Sequence, residues 1–245
     1  MSVIERVKIL VLGDTGVGKT SFVNLAAHNE PLRSPSWTVG CSVEVKLHDY
    51  KAGTKDQKTY FVEFWDIGGS QIHRNARSVF YYPCHGAILV HDLTNSKSEK
   101  NLNKWVREIV TKRERKYSDY EAPDMSNPVS PNTSIYIDKI IDQESMIGNS
   151  NLPFLVIGTK VDQMEAKKTL SSFIANHLGV DEIVLDCRQS RYLAAGTSNA
   201  VKLSRFYDKV IETKLRIGKD SFSERLGTVT IPSAISPKFY SPHAE

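Results

Sequence analysis

Short apolar runs alternate with segments of helical periodicity along most of the chain, and this pattern indicates an open α/β sheet. The apolar runs predict strands at Val7–Leu12, Cys41–Leu47, Tyr60–Trp65, Gly86–His91, Phe154–Gly158 and Ile183–Leu185. Helices are predicted at Lys19–His28, Gln71–Tyr81, Ser98–Val110, Lys168–Leu178 and Asn199–Arg216. In the last helix Val201, Phe206 and Val210 fall near helical spacing, so this helix should pack against the sheet.

The second and third strands are separated only by a charged, glycine-containing turn at residues 51–58. Two strands joined in this way form an antiparallel hairpin. The other strands alternate with helices and should be parallel. The pattern therefore predicts a three-layer α/β fold, with a mostly parallel six-stranded sheet, one antiparallel edge strand and helices on both faces.

Two regions fall outside this alternation. Residues 111–151 hold a basic run, three prolines and no sustained period, which predicts an inserted and mostly mobile loop with a short helix at Ile135–Ile141. Residues 218–245 contain further prolines among serines and threonines, which predicts a disordered tail. The folded domain is accordingly predicted at residues 1–217.

Composition excludes several classes of function. The net charge is only +4, and the basic residues are scattered except for the run at Lys112–Lys116, which gives no basis for a nucleic-acid partner. Cys41, Cys84 and Cys187 are far apart and lack paired spacing, so neither a disulfide framework nor a zinc site is predicted. No apolar run reaches the roughly 20 residues of a membrane span, and the N-terminus does not resemble a signal peptide. We expect a soluble cytoplasmic protein.

A phosphate-binding loop of the form G-x-x-x-x-G-K-T follows the first strand directly. Its residues are Gly13, Asp14, Thr15, Gly16, Val17, Gly18, Lys19 and Thr20. The glycines allow successive N–H groups to point at a phosphate, and Lys19 adds a charge near the outer phosphates. The Thr20 hydroxyl is predicted to bind Mg²⁺, and the helix that continues through Ser21 directs its positive end at the same anion.

Two further motifs lie at the carboxyl ends of strands, where open α/β sheets bind ligands. Asp66 ends the third strand and is predicted to act as a second-shell partner of Mg²⁺, although a turn or helix-capping aspartate is the plainer alternative. Lys160, Val161 and Asp162 follow the fifth strand. A carboxylate at Asp162 can accept two hydrogen bonds from the guanine edge, which adenine cannot offer, so it would select GTP over ATP.

Together, Gly13–Thr20, Thr38, Trp65–Gly69 and Lys160–Asp162 resemble the Ras superfamily of small GTPases, and the strings Thr38–Gly40 and His91–Thr94 resemble its Rab branch. The resemblance extends over residues 6–216 and implies the small-GTPase fold with GTP or GDP and Mg²⁺ as ligands. It implies that Thr38 is the switch I threonine and also a metal ligand, in a loop at Pro31–Gly40. Gly69 would make the corresponding contact to the γ-phosphate from switch II.

The resemblance also implies partners. Protein effectors and regulators would bind through switch I and switch II. Rab-like members further imply a homodimer and a part in the prenylation of other small GTPases through an armadillo-type chaperone. The last base-contacting loop would be Asp186, Cys187 and Arg188, with a backbone contact to the base from Arg188 or its neighbour.

Three departures from the family pattern limit this expectation. Ser70 stands where a water-orienting glutamine is usual, with Gln71 next to it, so both are only candidates for catalysis. Thr159 replaces the family's asparagine, which joins the base to the phosphate loop, and this should weaken binding by about 1–2 kcal/mol if the hydrogen bonds are not replaced. The chain ends Ser241–Glu245 without a cysteine, so no direct lipid anchor is predicted.

Three functions are therefore compared. The leading one is a guanine-nucleotide switch with slow hydrolysis. The alternative is a binding module that holds nucleotide and hydrolyses it poorly. An ATP-dependent kinase or transferase is disfavoured by Lys160–Asp162.

Overall fold

The computed structural model describes residues 4–118, 151–164 and 172–227. Six strands in these residues form a single sheet. The strands are β1 (Glu5–Leu12), β2 (Cys41–Tyr50), β3 (Lys58–Ile67), β4 (Gly86–Asp92), β5 (Phe154–Thr159) and β6 (Glu182–Val184). Their order is β2-β3-β1-β4-β5-β6. Only β2 pairs antiparallel, along β3, and every other pair is parallel. The predicted sheet, with its antiparallel edge strand, is confirmed.

Within the described residues, four helices lie between successive strands and a fifth follows the last strand. They are α1 (Lys19–His28), α2 (Arg74–Arg77), α3 (Ser96–Ser118), α4 (Phe173–Leu178) and α5 (Ser198–Gly227). Short 3₁₀ turns lie at Gln71–His73, Ser78–Phe80, Val161–Gln163 and Ser190–Leu193.

Two apolar cores lie between the sheet and its helices, which confirms the three-layer prediction. On one face Phe22 and Leu25 of α1 and Phe206 and Val210 of α5 pack in one buried cluster with alternate residues of the central strands. On the other face the cluster is built around α3, and it includes the buried Trp105. Continuous burial along β1 and β4 follows from helices on both faces, because neither face of those strands meets solvent.

The predicted helix at Gln71–Tyr81 is wrong as one regular element. Only Arg74–Arg77 is α-helical, and a 3₁₀ turn lies on each side. Ser70, Ser78 and the β-branched Val79 give this segment little helix propensity, so local packing decides its shape.

Helix α3 continues to Ser118, into the region predicted to be an inserted loop from residue 111. Lys, Arg and Glu favour a helix there, and the first proline comes only at Pro123. Helix α5 likewise continues to Gly227, past the predicted boundary at residue 217. A single glycine at 218 costs a helix only about 1 kcal/mol, which the surrounding helix formers can offset.

The remainder of the predicted insertion, including the helix at Ile135–Ile141, lies outside the described residues, as do residues 165–171 and the tail from residue 228. Across residues 4–118, 151–164 and 172–227, no helix has both the length and the apolar character that crossing a membrane requires.

Candidate functional site

The predicted site residues meet at one edge of the sheet, where the parallel strands end. The phosphate loop follows β1, Asp66 lies near the end of β3, and Asp92 ends β4. Lys160 comes directly after β5, and Asp186 follows β6 by two residues. Parallel strands thus bring together residues that are far apart in sequence, as open α/β sheets do for their ligands.

The phosphate loop has a shape that requires glycine. Gly16 and Gly18 have φ angles of 77° and 92°, in the left-handed region that glycine adopts without strain. At Gly13 an added Cβ would lie 2.2 Å from the carbonyl oxygen of Val90, so no side chain fits there. The loop backbone therefore lies against β4 in a tight curl, the shape in which successive N–H groups can point at a phosphate.

The Lys19 side chain lies within this loop. Its Nζ donates hydrogen bonds to the carbonyl oxygens of Gly13, at 3.0 Å, and Asp14, at 2.8 Å. Burial lowers the pKa of the Lys19 ammonium to about 8, and Asp66 and Asp14 counteract that effect only in part. An ammonium desolvated in this way gains strongly from an anion brought beside it, which is what a phosphate supplies.

The Asp14 side chain does not face the loop interior. Its two carboxylate oxygens accept hydrogen bonds from Asn101 Nδ2, at 2.7 Å, and Trp105 Nε1, at 3.0 Å, both on α3. Any contribution of Asp14 to phosphate binding therefore comes from its backbone. Thr15 is exposed and Val17 is buried, so within the loop these two residues likewise offer backbone rather than side-chain groups.

The three residues predicted to serve a metal ion are in direct contact. Thr20 Oγ1 donates to Asp66 Oδ2 at 2.6 Å, Thr38 Oγ1 does so at 3.1 Å, and the two hydroxyl oxygens are 2.9 Å apart. Burial raises the pKa of the Asp66 carboxyl. The other carboxylate oxygen, Oδ1, is buried and has no hydrogen-bond partner among the described residues. Hard oxygen donors next to an unsatisfied buried carboxylate oxygen fit Mg²⁺.

The two switch segments contact each other and the phosphate loop. The Gly68 N–H donates to the carbonyl oxygen of Gly40 at 2.9 Å. At Gly69 an added Cβ would lie 2.5 Å from the backbone nitrogen of Thr15, so switch II packs directly on the phosphate loop. The loop Pro31–Gly40 is otherwise open to solvent, and its Trp37 side chain is 86% exposed.

The two catalytic candidates lie where switch II begins. Ser70 precedes the 3₁₀ turn, and its carbonyl oxygen accepts a hydrogen bond from Arg77 Nη1 at 3.2 Å. Gln71 is the first residue of that turn and its side chain is exposed. The backbone of Ser70 is thus held in place, whereas the amide of Gln71 faces solvent.

A cleft of about 450 Å³ adjoins the phosphate loop on the side of β5 and β6. Its walls include Gly18, Ser21, Pro31, Lys160, Asp162, Cys187 and Arg188. Lys160 adopts φ 60° and its Nζ forms an ion pair with Asp92 Oδ2 at 2.6 Å. Opposing the effect of burial, this contact and hydrogen bonds from Thr94 hold the pKa of Asp92 below its ordinary value.

Arg188 occupies the part of the cleft predicted to recognise the base. Its guanidinium forms an ion pair with Asp162 and another, at 3.2 Å, with Asp186 Oδ1. Its backbone N–H donates to the same Asp186 oxygen at 2.9 Å. In this arrangement the Arg188 N–H is already bonded to Asp186, so the contact to the base from Arg188 or its neighbour stays a prediction. Burial raises the pKa of the neighbouring Cys187 thiol to about 12, so it stays protonated.

Thr159 contacts the phosphate loop from the position where the family has asparagine. Its hydroxyl lies 2.6 Å from the carbonyl oxygen of Val17 and 3.0 Å from that of His91, and it donates to them. The residue is fully buried. Thr159 therefore makes the connection to the phosphate loop that was expected to be lost with the asparagine.

Sequence reasoning missed the partners of these motifs. No sequence motif could have identified Asn101 and Trp105 on α3. The same is true of the Arg77–Glu108 pair beneath switch II. Asp92 had a signal, because it ends a predicted strand at the same edge of the sheet.

Comparisons with known proteins agree with this geometry. The domain family described as Roc, the Ras of Complex domain of DAPkinase, matches residues 8–118. Rab-like protein 3 of Homo sapiens and that of Bos taurus are each 47% identical over 223 residues, covering 87% of this chain and 88% of each relative. The Small GTPase-like protein LIP2 of Arabidopsis thaliana is 32% identical over 165 residues, covering 64% of this chain and 43% of the relative. The chain belongs to the Rab-like small GTPases of the Ras superfamily.

Proposed function

We propose that this protein is a guanine-nucleotide-dependent switch of the cytoplasm, in which bound GTP orders switch I and switch II for recognition by protein partners. The observation that carries the proposal is the contact among Thr20, Thr38 and Asp66, within 2.6–3.1 Å of one another. A hydroxyl from the phosphate loop, one from switch I and a carboxylate from β3 converge on one point. A ligand that binds there acts on both switches at once.

The same three residues would hold Mg²⁺. The hydroxyl oxygens of Thr20 and Thr38 would be direct ligands, and Asp66 would hold the metal's water shell through its unsatisfied oxygen. The ion would neutralise charge on the β- and γ-phosphates. Lys19 would provide the second positive charge, in a pocket from which water is largely excluded.

Selectivity for guanine would come from Asp162. An adenine nucleotide in the same cleft offers this carboxylate no pair of hydrogen-bond donors. Guanine would have to displace the Arg188 guanidinium from Asp162, and Arg188 would keep Asp186 as its partner. Recognition of the base thus replaces one set of hydrogen bonds to Asp162 with another.

Hydrolysis would be slow. Ser70 has too short a side chain to orient a water as glutamine does, and Gln71 points to solvent. This observation favours the second candidate, a binding module that holds nucleotide and turns it over poorly. Ser70→Gln should raise the single-turnover rate modestly if the protein is a switch with a weakened catalytic position. A wild-type rate equal to that of a glutamine-bearing small GTPase would exclude the binding module.

Partners would bind where apolar side chains of both switches reach solvent. Trp37 and Val39 in switch I and Ile72 in switch II are each more than 80% exposed. Such exposure is costly on a free surface and typical of a recognition site. The proposal extends to a homodimer, signalling to effectors and a role with an armadillo-type chaperone in prenylation of other small GTPases, and this part rests only on the resemblance of the sequence to the Rab-like small GTPases. Light scattering with GDP and with a GTP analogue would test the dimer.

Nucleotide content and selectivity test the proposal directly. The freshly purified protein should release GDP or GTP on denaturation, and thermal-shift competition should show protection by GTP but not by ATP. Lys19→Ala should abolish this protection, because it removes the buried cation. Lys104→Ala, which removes an exposed lysine of α3, is the matched control and should bind normally. Equal protection by ATP and GTP would refute guanine recognition.

A further inference from the structure

Trp105 contacts the phosphate loop and switch II at the same time. It is a buried residue of α3, only 1% exposed. Its indole Nε1–H donates to Asp14 Oδ1 in the phosphate loop at 3.0 Å. The Arg77 guanidinium, in the switch II segment that follows Gly69, lies 3.9 Å above the centre of its ring. One side chain therefore joins the segment that holds phosphate to the segment that responds to it.

The Arg77 guanidinium is held on that ring by a buried carboxylate. Its Nε and Nη2 donate to the two oxygens of Glu108, at 2.8 and 2.6 Å, in a bidentate pair. The Tyr81 hydroxyl donates to the same carboxylate at 2.7 Å. Arg77 and Glu108 have side chains only 2% and 5% exposed. A planar pair with so many hydrogen bonds allows very few orientations of Arg77.

The third nitrogen of the Arg77 guanidinium, Nη1, reaches the backbone of the candidate catalytic residue Ser70. This nitrogen donates to the carbonyl oxygen of Ser70 at 3.2 Å, one residue after Gly69, which packs on the phosphate-loop backbone. The placement of Ser70 thus depends on Arg77, and that of Arg77 on Glu108 and Trp105. A buried ion pair is a poor source of stability but a good means of specifying one arrangement.

We propose that Arg77, Glu108 and Trp105 are positioning residues that couple the phosphate loop to switch II and favour the arrangement adopted with nucleoside triphosphate. This inference rests on the proposed function, since it assumes that the loop binds nucleotide. The Asp14 carboxylate is one end of the connection and the Ser70 carbonyl is the other. We name these linked side chains, from Asp14 through Trp105 and Arg77 to Ser70, the α3 latch.

The test compares two nucleotides in variants that each break one part of the latch. Trp105→Phe keeps an aromatic face for Arg77 but removes the donor to Asp14. Glu108→Gln keeps the shape of the carboxylate but removes its charge. Competition against a fluorescent GDP gives the Kd of GDP and of a non-hydrolysable GTP analogue in each variant. Arg107→Ala, which alters an exposed residue of the same helix, is the control.

Each single variant should raise the ratio of the analogue Kd to the GDP Kd by about five- to tenfold, as expected for a coupling between two sites. The double variant should raise it by less than the product, because both changes break one connection. The control ratio should not change. Equal weakening of both nucleotides, an unchanged ratio or strictly multiplicative effects would overturn the latch while leaving the proposed function intact. If Glu108→Gln does not fold, the ratio in Trp105→Phe alone decides. A wild-type protein that binds neither nucleotide would refute the proposed function and the latch together.

Discussion

Replacing Thr159 with valine should loosen the phosphate loop without changing its shape. Valine has nearly the same volume as threonine, so the fully buried position gains no cavity and no clash. What is lost is the hydroxyl that donates to the carbonyl oxygens of Val17 and His91, at 2.6 and 3.0 Å. The perturbation therefore removes one connection between β5, β4 and the loop.

The size of the effect follows from burial. A buried carbonyl that loses its donor costs about 1–3 kcal/mol, more than the net value of an ordinary hydrogen bond. The free energy of unfolding of the free protein should fall by about that amount. If nucleotide binding must restore the order of the loop, each 1.4 kcal/mol of that cost raises the Kd of GDP by about tenfold.

Urea denaturation and GDP titration of Thr159→Val measure both quantities, and Thr213→Val is the matched control. The Thr213 hydroxyl is also buried, but it donates to the Lys209 carbonyl of its own helix, which already has a helical N–H partner available. Its replacement should change unfolding and binding by less than about 0.5 kcal/mol. If the two variants behave alike, the Thr159 hydroxyl is not the connection that fixes the loop.

Gly69→Ala should weaken the binding of a GTP analogue far more than that of GDP, because the added Cβ would lie 2.5–2.6 Å from three backbone atoms of the phosphate loop and block the switched-on arrangement. The control is Gly218→Ala, which has open space around it and should bind both nucleotides normally. An unaffected analogue Kd in Gly69→Ala would contradict the packing. Asp162→Asn should reduce the preference for GTP over ATP, measured by thermal shift, since one acceptor becomes a donor facing a donor; retained selectivity would mean that another group reads the base. Burial acts to raise the pKa of Glu108, but hydrogen bonds from Arg77 and Tyr81 hold it below 4.5. That stabilisation is present above about pH 4.5 and is lost as the pH falls through the lower folded pKa, so the stability difference between wild type and Glu108→Gln should narrow as the pH falls below about 4.5. A constant difference in urea denaturation would show that the charge of Glu108 does not contribute.

The sequence alone could predict the features that depend on neighbours in the chain. The strand, glycine loop and helix around Lys19 form one local unit, and alternating apolar runs predicted every strand of the observed sheet. The proximity of Thr20 and Asp66 could be predicted because parallel strands end at a common edge of the sheet.

Features that depend on side-chain packing across the fold could not be predicted. The Asp14–Trp105 contact spans 91 positions, and no spacing rule connects a loop aspartate to a tryptophan on a helix. The irregular shape of Gln71–Phe80 follows from the Arg77–Glu108 pair beneath it, which overrides weak local propensity. Thr159 could be recognised as a departure, but its buried hydroxyl bond appears only once Val17 lies beside it.

The β2–β3 hairpin makes the geometry of the proposed metal site depend on residues far from it in the sequence. Its ten residue pairs run from Cys41↔Ile67 to Tyr50↔Lys58, so the turn lies about 30 Å from Asp66 at the usual rise per residue. A slip of one residue anywhere along this ladder would turn the Asp66 carboxylate, or the residues opposite it, towards the other face of the sheet. A one-residue deletion near Lys51 that shifts this register would therefore disturb the proposed magnesium site about 30 Å away, although every proposed ligand is still present.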